Sequence, residues 1–205
     1  YLMKKLLSYA LAFTAMIALS AAKGDKPMLE IGAKAPLTDL KMENVDGKML
    51  SLDKLKGENG LLVIFSCNTC PFVLGGEDQY PGLADFAAEQ NIGMVLVNSN
   101  EKKREGDDSM AEMQKHYKEA GYKSPYVIDA NHKLADAFGA RTTPHVYLLN
   151  SEMNLVYRGS INDKYERKDK TAQKQYLREA MEALAQGEEI ANPNTREIGC
   201  SIKRI

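Results

Sequence analysis

Apolar and polar residues alternate along this chain in blocks that predict an ordered succession of strands and helices. Residues 61–65 and 92–97 are almost entirely apolar, as expected of strands buried on both faces of a sheet. Asp46 and Gly47 divide an imperfectly alternating segment, residues 37–52, and this dipeptide is a strong signal for a hairpin turn. The pattern therefore predicts an N-terminal β-hairpin followed by buried strands.

Helical periodicity and capping residues separate the predicted strands. A helix over residues 71–90 begins at a proline, which suits a first helical turn, and Gly75-Gly76 is expected to bend it. Ser109 and Glu112 form a capping box for a second helix. The remaining predicted elements are a strand at 126–128, a helix at 131–138, a strand pair at 145–149 and 154–159, and a helix at 171–186.

This order of elements predicts an α/β fold with a mixed central sheet between flanking helices. Each strand–helix–strand unit makes its two strands parallel, whereas the late hairpin adds an antiparallel edge. Such alternation is typical of layered sandwiches in which helices cover the sheet. One domain over residues 23–205 fits the pattern, because domains commonly contain about 100–200 residues.

The first 22 residues have the pattern of a secretory signal peptide. Lys4 and Lys5 precede a mainly apolar stretch, residues 6–19, and the small residues up to Ala22 suit a cleavage site. The apolar stretch is shorter than the roughly 20 residues that span a bilayer. We therefore expect an exported, periplasmic protein with no stable membrane insertion after the leader is removed. An uncleaved N-terminal anchor is the alternative.

Charge and cysteine content exclude several classes of function. The chain has 27 basic and 28 acidic residues, a formal net charge of −1, so no overall charge directs it to nucleic acid or to an anionic membrane. Its three cysteines are too few for a scaffold of several disulfides. In an exported protein, a close pair of cysteines is then either a structural disulfide or a catalytic one.

A CxxC motif, Cys67-Asn68-Thr69-Cys70, lies between the first buried strand and the helix that begins at Pro71. Two thiols at this spacing can close and reopen a disulfide with little backbone movement. The positive end of the helix favours a thiolate, which is the nucleophile of disulfide exchange. The setting predicts a redox centre with Cys67 as nucleophile and Cys70 as resolving thiol. A static structural disulfide, or two inert buried thiols, is the alternative.

The chain resembles the thioredoxin superfamily in this motif and in a second one, Arg141-Thr142-Thr143-Pro144, which precedes a predicted strand. The resemblance implies a thioredoxin-like three-layer sandwich in which the Thr143–Pro144 bond is cis and lies beside the two cysteines. It also implies a substrate groove at Thr143 and Pro144, with the backbone of Thr143 free to pair with an extended substrate segment.

Several further segments are similar to the peroxiredoxin-like redoxin proteins of bacteria. They are Cys-Asn-Thr-Cys-Pro-Phe-Val, Val-Leu-Val-Asn-Ser-Asn, Thr-Pro-His-Val, Tyr-Arg-Gly-Ser-Ile-Asn-Asp and the terminal Gly-Cys-Ser-Ile-Lys. The resemblance covers nearly all of residues 27–205 and implies thiol redox chemistry that needs neither an organic cofactor nor a metal.

The sequence departs from two patterns of this superfamily. Counting back from Cys70, the proline and the threonine or serine of peroxiredoxins correspond to Val63 and Cys67, and Pro144 stands where their arginine is expected. Standard peroxidase activity is therefore disfavoured. The buried acid that thioredoxins carry six residues before the first cysteine corresponds to Leu61, so a proton shuttle is missing or comes from elsewhere.

Other residues near these motifs have candidate supporting roles. Pro71 fixes the start of the helix. His145 follows Pro144, where it either raises the thiolate fraction or points to the opposite face of its strand. We interpret Cys200 as a small buried residue that anchors the tail, with a second resolving cysteine as the alternative. The charged run at 101–108 is interpreted as a solvated loop.

The sequence thus predicts an exported thiol–disulfide oxidoreductase that exchanges a Cys67–Cys70 disulfide with cysteine-containing proteins and with a thiol or disulfide electron partner. A thiol-dependent peroxidase is one alternative. A copper-binding thioredoxin-fold chaperone is another, since thiolates select Cu(I) and His145 could supply a distal histidine, although such chaperones space their cysteines one residue wider. The direction of electron flow stays open, because the same motif spacing serves potentials that differ by about 150 mV.

Overall fold

A seven-stranded mixed sheet forms the centre of the structure, a computed structural model that describes residues 27–205. The expected signal peptide, residues 1–22, lies outside the described residues. In chain order the strands are β1 (Met42–Asn44), β2 (Met49–Leu50), β3 (Gly60–Ser66), β4 (Ile92–Asn98), β5 (Tyr126–Ile128), β6 (Thr142–Thr143), β7 (His145–Asn150), β8 (Leu155–Gly159) and β9 (Cys200–Ser201).

The sheet has the strand order β2-β1-β5-β4-β3-β7-β8. Strands β3, β4 and β5 are parallel, and antiparallel pairs, β1 with β2 and β7 with β8, close its two sides. This is the mixed α/β sheet that the sequence predicts, with β3 near the middle. Strands β6 and β9 form a separate antiparallel pair beside the end of β3.

Helices cover both faces of the sheet. They are α1 (Leu52–Leu55), α2 (Pro71–Leu74), α3 (Tyr80–Glu89), α4 (Met110–Glu119), α5 (Lys133–Phe138) and α6 (Tyr176–Gln186). Residues of α3, α4 and α6 pack in one hydrophobic core, and residues of α1 and α5 pack in the other. Among residues 27–205, no helix combines the length and the apolar content that crossing a bilayer requires.

The central strand β3 is buried along its whole length, which explains its unbroken apolar sequence. Leu62 and Ile64 face the core that contains α3 and α6. Leu61, Val63 and Phe65 face the core that contains α5. Because alternate residues point to opposite faces and both faces are buried, each position of this strand needs an apolar side chain. The chain leaves the sheet at the carboxyl end of this strand, at Cys67.

Several boundaries differ from the sequence prediction for local reasons. The helix expected over 71–90 is broken into α2, a 3-10 turn at Glu77–Gln79 and α3, because two glycines interrupt it and a proline in the first turn of α3 starts a new helix. The hairpin turn at Gly47 is confirmed, with φ of 82°, but β1 begins only at Met42. The last helix begins at Tyr176 rather than at 171.

Three aromatic side chains tie α5 to the sheet and generate a stability prediction. Phe138 packs edge-on against Phe65 and Tyr147, with ring centroids 5.8 and 5.3 Å away. We expect Phe138→Ala to lower the free energy of unfolding by about 3–5 kcal/mol, measured by denaturant titration under reducing conditions. Met49→Ala is the control, since Met49 is 56% exposed. Equal losses in the two variants would contradict the assignment of this core.

Candidate active site

The CxxC motif lies at the carboxyl end of β3, at the junction with α2. Cys67 directly follows Ser66, the last residue of the strand, and Cys70 is the N-cap of α2, which begins at Pro71 as expected. Both sulfur-bearing side chains are buried, with 2% and 3% of Cys67 and Cys70 exposed. Cys67, Cys70 and Cys200 are free thiols. All three line one open pocket of about 110 Å³.

Thr143 contacts both thiols of the motif. Its peptide bond to Pro144 is cis, as the resemblance implies. The Cys67 sulfur lies 3.2 Å from the Thr143 hydroxyl oxygen. The Cys70 sulfur lies 3.0 Å from the Thr143 carbonyl oxygen, to which it donates when protonated. The structure therefore brings the two predicted motifs together around one threonine.

The backbone of Thr143 is not free, which corrects the expectation of an open substrate groove. Strand β9 pairs with β6, so that Cys200 is opposite Thr143 and Ser201 is opposite Thr142. The chain's own C-terminal tail therefore occupies the position expected for an extended substrate. Gly199 permits this approach, because a Cβ there would overlap the carbonyl oxygen of Thr143.

Residues beyond Cys200 hold the tail in place. Ile202 is 5% exposed and packs in the core that contains α5. The backbone N–H of Lys203 donates to the side-chain oxygen of Asn100 at 2.8 Å, and the Arg204 guanidinium bonds Asp136 at 2.8 Å. Cys200 is partly buried and packs against the core that contains α3 and α6, so it shares the expected anchoring role with these neighbours.

Contacts that stabilise a thiolate converge on Cys70 rather than on Cys67. The neighbouring Cys67 thiol lowers the pKa of Cys70 most, and the Cys200 thiol and the backbone N–H of Val73 lower it further, against the effect of burial. The pKa of Cys67 is raised, first by its bond to Cys70, then by burial, and further by the negative charge of Asp108. The thiolate that the sequence assigned to Cys67 is better stabilised at Cys70 in this arrangement.

Asp108 is a site residue that sequence reasoning missed. It is completely buried, which corrects the interpretation of 101–108 as a wholly solvated loop. Its carboxylate accepts from the backbone N–H of Asn68 at 2.9 Å and from the side chains of Asn98 and Asn100 at 2.8 and 3.0 Å. Leu61 stands where thioredoxins carry a buried acid. In this structure a buried carboxylate instead contacts the CxxC from the loop after β4. The asparagines after β3 and β4 were the available signal for a polar cluster here, because parallel strands end at the same edge of the sheet.

His145 lies away from the thiols. It is opposite Phe65 in the β3–β7 register and packs against Tyr147, in the core on the other face from Cys67. Burial, with Arg158 and Arg141 nearby, lowers its pKa to about 3, so it is neutral at physiological pH. The structure does not bring it to Cys67 or Cys70, and it is not placed to serve as a distal copper ligand beside them.

Comparison with known proteins agrees with this geometry. The family model described as Redoxin matches residues 30–176. The chain belongs to the redoxin family. This membership and the thioredoxin-like fold establish thiol-based redox chemistry as the class of function. The tail that carries Cys200 lies beyond the matched residues. A search of curated proteins finds no match.

Solved structures share the fold over most of the redoxin chain. An uncharacterized conserved protein from Geobacillus kaustophilus is 31% identical, with a TM-score of 0.80, over 86% of this chain and 93% of that one. A hypothetical protein from Sinorhizobium meliloti 1021 is 29% identical, with a TM-score of 0.80, over 87% and 97% of the two chains. Peroxidoxin BcpB from Mycobacterium tuberculosis, at 14% identity and a TM-score of 0.58 over 77% and 97%, shares the fold alone.

The buried carboxylate generates a prediction about Cys67. Behind the Cys70 contact and burial, the charge of Asp108 contributes to the raised pKa of Cys67. In a Cys70→Ser, Cys200→Ser background, Asp108→Asn should therefore lower the pKa of the one remaining thiol. The measurement is the midpoint of the pH dependence of its alkylation rate by iodoacetamide.

Asp107→Asn is the matched control for that prediction. Asp107 is the neighbouring carboxylate, 59% exposed and paired with Lys103 at 2.9 Å, so solvent screens its charge. We expect its replacement to leave the midpoint nearly unchanged. An unchanged midpoint in Asp108→Asn, or the same shift in both variants, would contradict the electrostatic role given to Asp108.

Proposed function

We propose that this redoxin is a thiol–disulfide oxidoreductase that exchanges a Cys67–Cys70 disulfide with cysteines of partner proteins and with a thiol or disulfide electron partner. The observation that carries the proposal is the contact of both CxxC sulfurs with Thr143, at 3.2 and 3.0 Å, beside a cis peptide bond at the end of the central strand. Two thiols held together in this way can close a disulfide without rearranging the sheet.

The reaction is a pair of exchange steps that need no cofactor. In the reducing direction, a thiolate of the pair attacks a partner disulfide, and one partner sulfur leaves with the bonding electron pair. The second thiol of the pair, as its thiolate, then attacks the mixed disulfide and releases the other partner sulfur. The partner gains two electrons and two protons, and Cys67 and Cys70 end as a disulfide. The reverse sequence oxidises a partner dithiol.

The contacts of Cys70 favour the oxidising direction. The neighbouring Cys67 thiol, the Cys200 thiol and the backbone N–H of Val73 lower the pKa of Cys70 and so favour the reduced form as a thiolate. Stabilising the reduced form raises the reduction potential of a disulfide pair. We therefore expect a potential less negative than about −270 mV, the value typical of thioredoxin.

Equilibration in glutathione buffers tests the proposal directly. The protein carries Cys200→Ser so that only Cys67 and Cys70 can form an intramolecular disulfide, and mass spectrometry of alkylated peptides gives its fraction at each buffer ratio. A reversible two-electron couple above about −270 mV is the expected result. A pair that forms no disulfide at any ratio would overturn the proposed function, and a potential at or below that of thioredoxin would overturn only the oxidising direction.

Export is part of the proposal and is supported by the leader-like pattern of residues 1–22. An oxidising compartment outside the cytoplasm suits a pair that donates disulfides.

The pocket at the CxxC also includes the side chains of Lys103 and Lys203, whose positive charge favours approaching thiolates. We expect the partners to be proteins that present cysteines in flexible segments, and not nucleic acids or lipids.

A peroxidase assay separates the remaining enzymatic alternative. Val63 and Cys67 replace the proline and the threonine or serine that peroxiredoxins use, so the support for peroxide at a cysteine thiolate is reduced. We expect hydrogen peroxide consumption with a thiol reductant to be no faster than that of the Cys67→Ser, Cys70→Ser variant. Rapid consumption that depends on one of these cysteines would favour the peroxidase function instead.

A further inference from the structure

Access to the CxxC sulfurs is restricted in this structure. Cys67 and Cys70 are only 2% and 3% exposed, so little of either side chain is open to direct contact with a partner protein. The C-terminal tail forms one wall of the pocket at the motif, since Cys200, Ser201 and Lys203 line it together with Cys67 and Cys70. Of the three thiols, Cys200 is the partly exposed one.

We propose that Cys200 is a third redox-active residue, which passes a disulfide between the buried Cys67–Cys70 pair and cysteines of partner proteins. The inference rests on the proposed function, because it assumes that the CxxC forms a disulfide. It adds an exchange site at the tail, with Cys70 as the internal partner of Cys200.

The register of the tail places Cys200 at the centre of the site. Cys200 is opposite Thr143 in the β6–β9 pair, and Thr143 contacts both Cys67 and Cys70. Cys200 shares one pocket with Cys67 and Cys70, and, after Cys67, its thiol and backbone N–H lower the pKa of Cys70. Cys70 is therefore the thiol of the motif with which Cys200 is placed to exchange.

The tail is built to hold this position. Gly199 lies against the Thr143–Pro144 peptide, where a Cβ would overlap backbone atoms that cannot move aside. Ile202 on the other side of Cys200 is buried in the core, and the backbone of Lys203 bonds Asn100 and Lys102. A cysteine held between a close backbone contact and a buried anchor has a defined place beside Cys70.

The exchange within the protein is balanced without an added oxidant. Starting from the Cys67–Cys70 disulfide, the Cys200 thiol loses its proton and its sulfur attacks the Cys70 sulfur. The Cys67–Cys70 bond breaks, the Cys70–Cys200 bond forms, and Cys67 takes the electron pair and a proton. A partner thiolate then attacks the Cys200 sulfur and Cys70 leaves as a thiolate. A second partner thiol resolves the mixed disulfide, so the partner is oxidised and the protein ends with three thiols.

Charge at the site agrees with this sequence of steps. Burial and the neighbouring Cys70 raise the pKa of Cys200 in the reduced protein, while Lys203 lowers it. When Cys70 is part of a disulfide it carries no negative charge, so its contribution disappears and the contribution of Lys203 remains. Cys200 thus becomes a better nucleophile when the Cys67–Cys70 disulfide that it attacks is present.

Disulfide mapping in a Cys67→Ser variant of the full chain tests the Cys70–Cys200 pairing. After incubation with oxidised glutathione and acid quench, we expect an intramolecular Cys70–Cys200 disulfide in the peptide map. Adding Gly199→Ala should reduce its yield about tenfold at equal exposure, because the tail is displaced from the Cys70 sulfur. Ser201→Ala, in the same strand, is the control and should retain the disulfide. Glutathione bound to Cys70 with Cys200 still a free thiol would overturn the proposal.

Turnover with two kinds of substrate tests the relay itself. Cys200→Ser should slow oxidation of a reduced, unfolded multi-cysteine protein such as ribonuclease A by about tenfold or more, since access limits exchange. Oxidation of dithiothreitol, which is small enough to enter the pocket, should be unchanged within about twofold. Ile205→Ala, at a 77% exposed position of the same tail, should leave both rates unchanged. Equal or faster protein oxidation in Cys200→Ser would overturn the relay.

The two proposals can fail separately. If the Cys67–Cys70 couple of the Cys200→Ser variant is reversible but protein oxidation is not slowed, the relay is wrong and the proposed function stands. If no variant forms a Cys67–Cys70 disulfide, the proposed function is wrong and the relay has no disulfide to pass.

Discussion

The pairing of β9 with β6 is the interaction on which the arrangement of the site depends. It consists of two residue pairs, Cys200 with Thr143 and Ser201 with Thr142. Through it the tail covers the CxxC, the third thiol meets Cys70, and the backbone beside the cis peptide is satisfied from within the chain. A short antiparallel pair is weak alone, so the burial of Ile202 next to it supplies much of the stabilisation, about 1.5–3 kcal/mol for a fully buried aliphatic side chain.

The electrostatics of the site follow from which groups are buried together. The contact with Cys70, burial and the negative charge of Asp108 raise the pKa of Cys67, whereas the two neighbouring thiols and the start of α2 lower the pKa of Cys70. The negative charge is therefore favoured at Cys70 rather than at Cys67, whose thiolate Asp108 disfavours. The start of α2 contributes to this preference, because the backbone N–H of Val73, which donates to the Cys70 carbonyl oxygen at 2.9 Å, also lowers the pKa of the Cys70 thiol.

The sequence predicts the parts of this protein that depend on local pattern and fails where distant segments meet. The apolar run of β3 indicates a strand buried on both faces, and the structure confirms it. The two motifs around Cys67 and Pro144 indicate a redox site, and the cis bond is confirmed. The burial of Asp108 was not predictable, because a carboxylate in a charged run is usually solvated and its N–H donors come from two other segments, Asn68 after β3 and Asn98 and Asn100 at the end of β4. The partner of Thr143 was missed for the same reason, since Cys200 is far along the chain.

A tail that only closed the groove would not need a cysteine at the position opposite Thr143. Gly199 suffices for the close approach, Ile202 for the anchor, and Lys203 for the backbone bonds to the loop after β4. A serine or alanine opposite Thr143 would complete the same strand pair, because the pairing uses backbone groups. Packing against the core that contains α3 and α6 asks only for a small apolar side chain at this position, and alanine would meet that need. A thiol adds the capacity for disulfide exchange, and it lies in the pocket that Cys67 and Cys70 line, which is why the relay is proposed for Cys200.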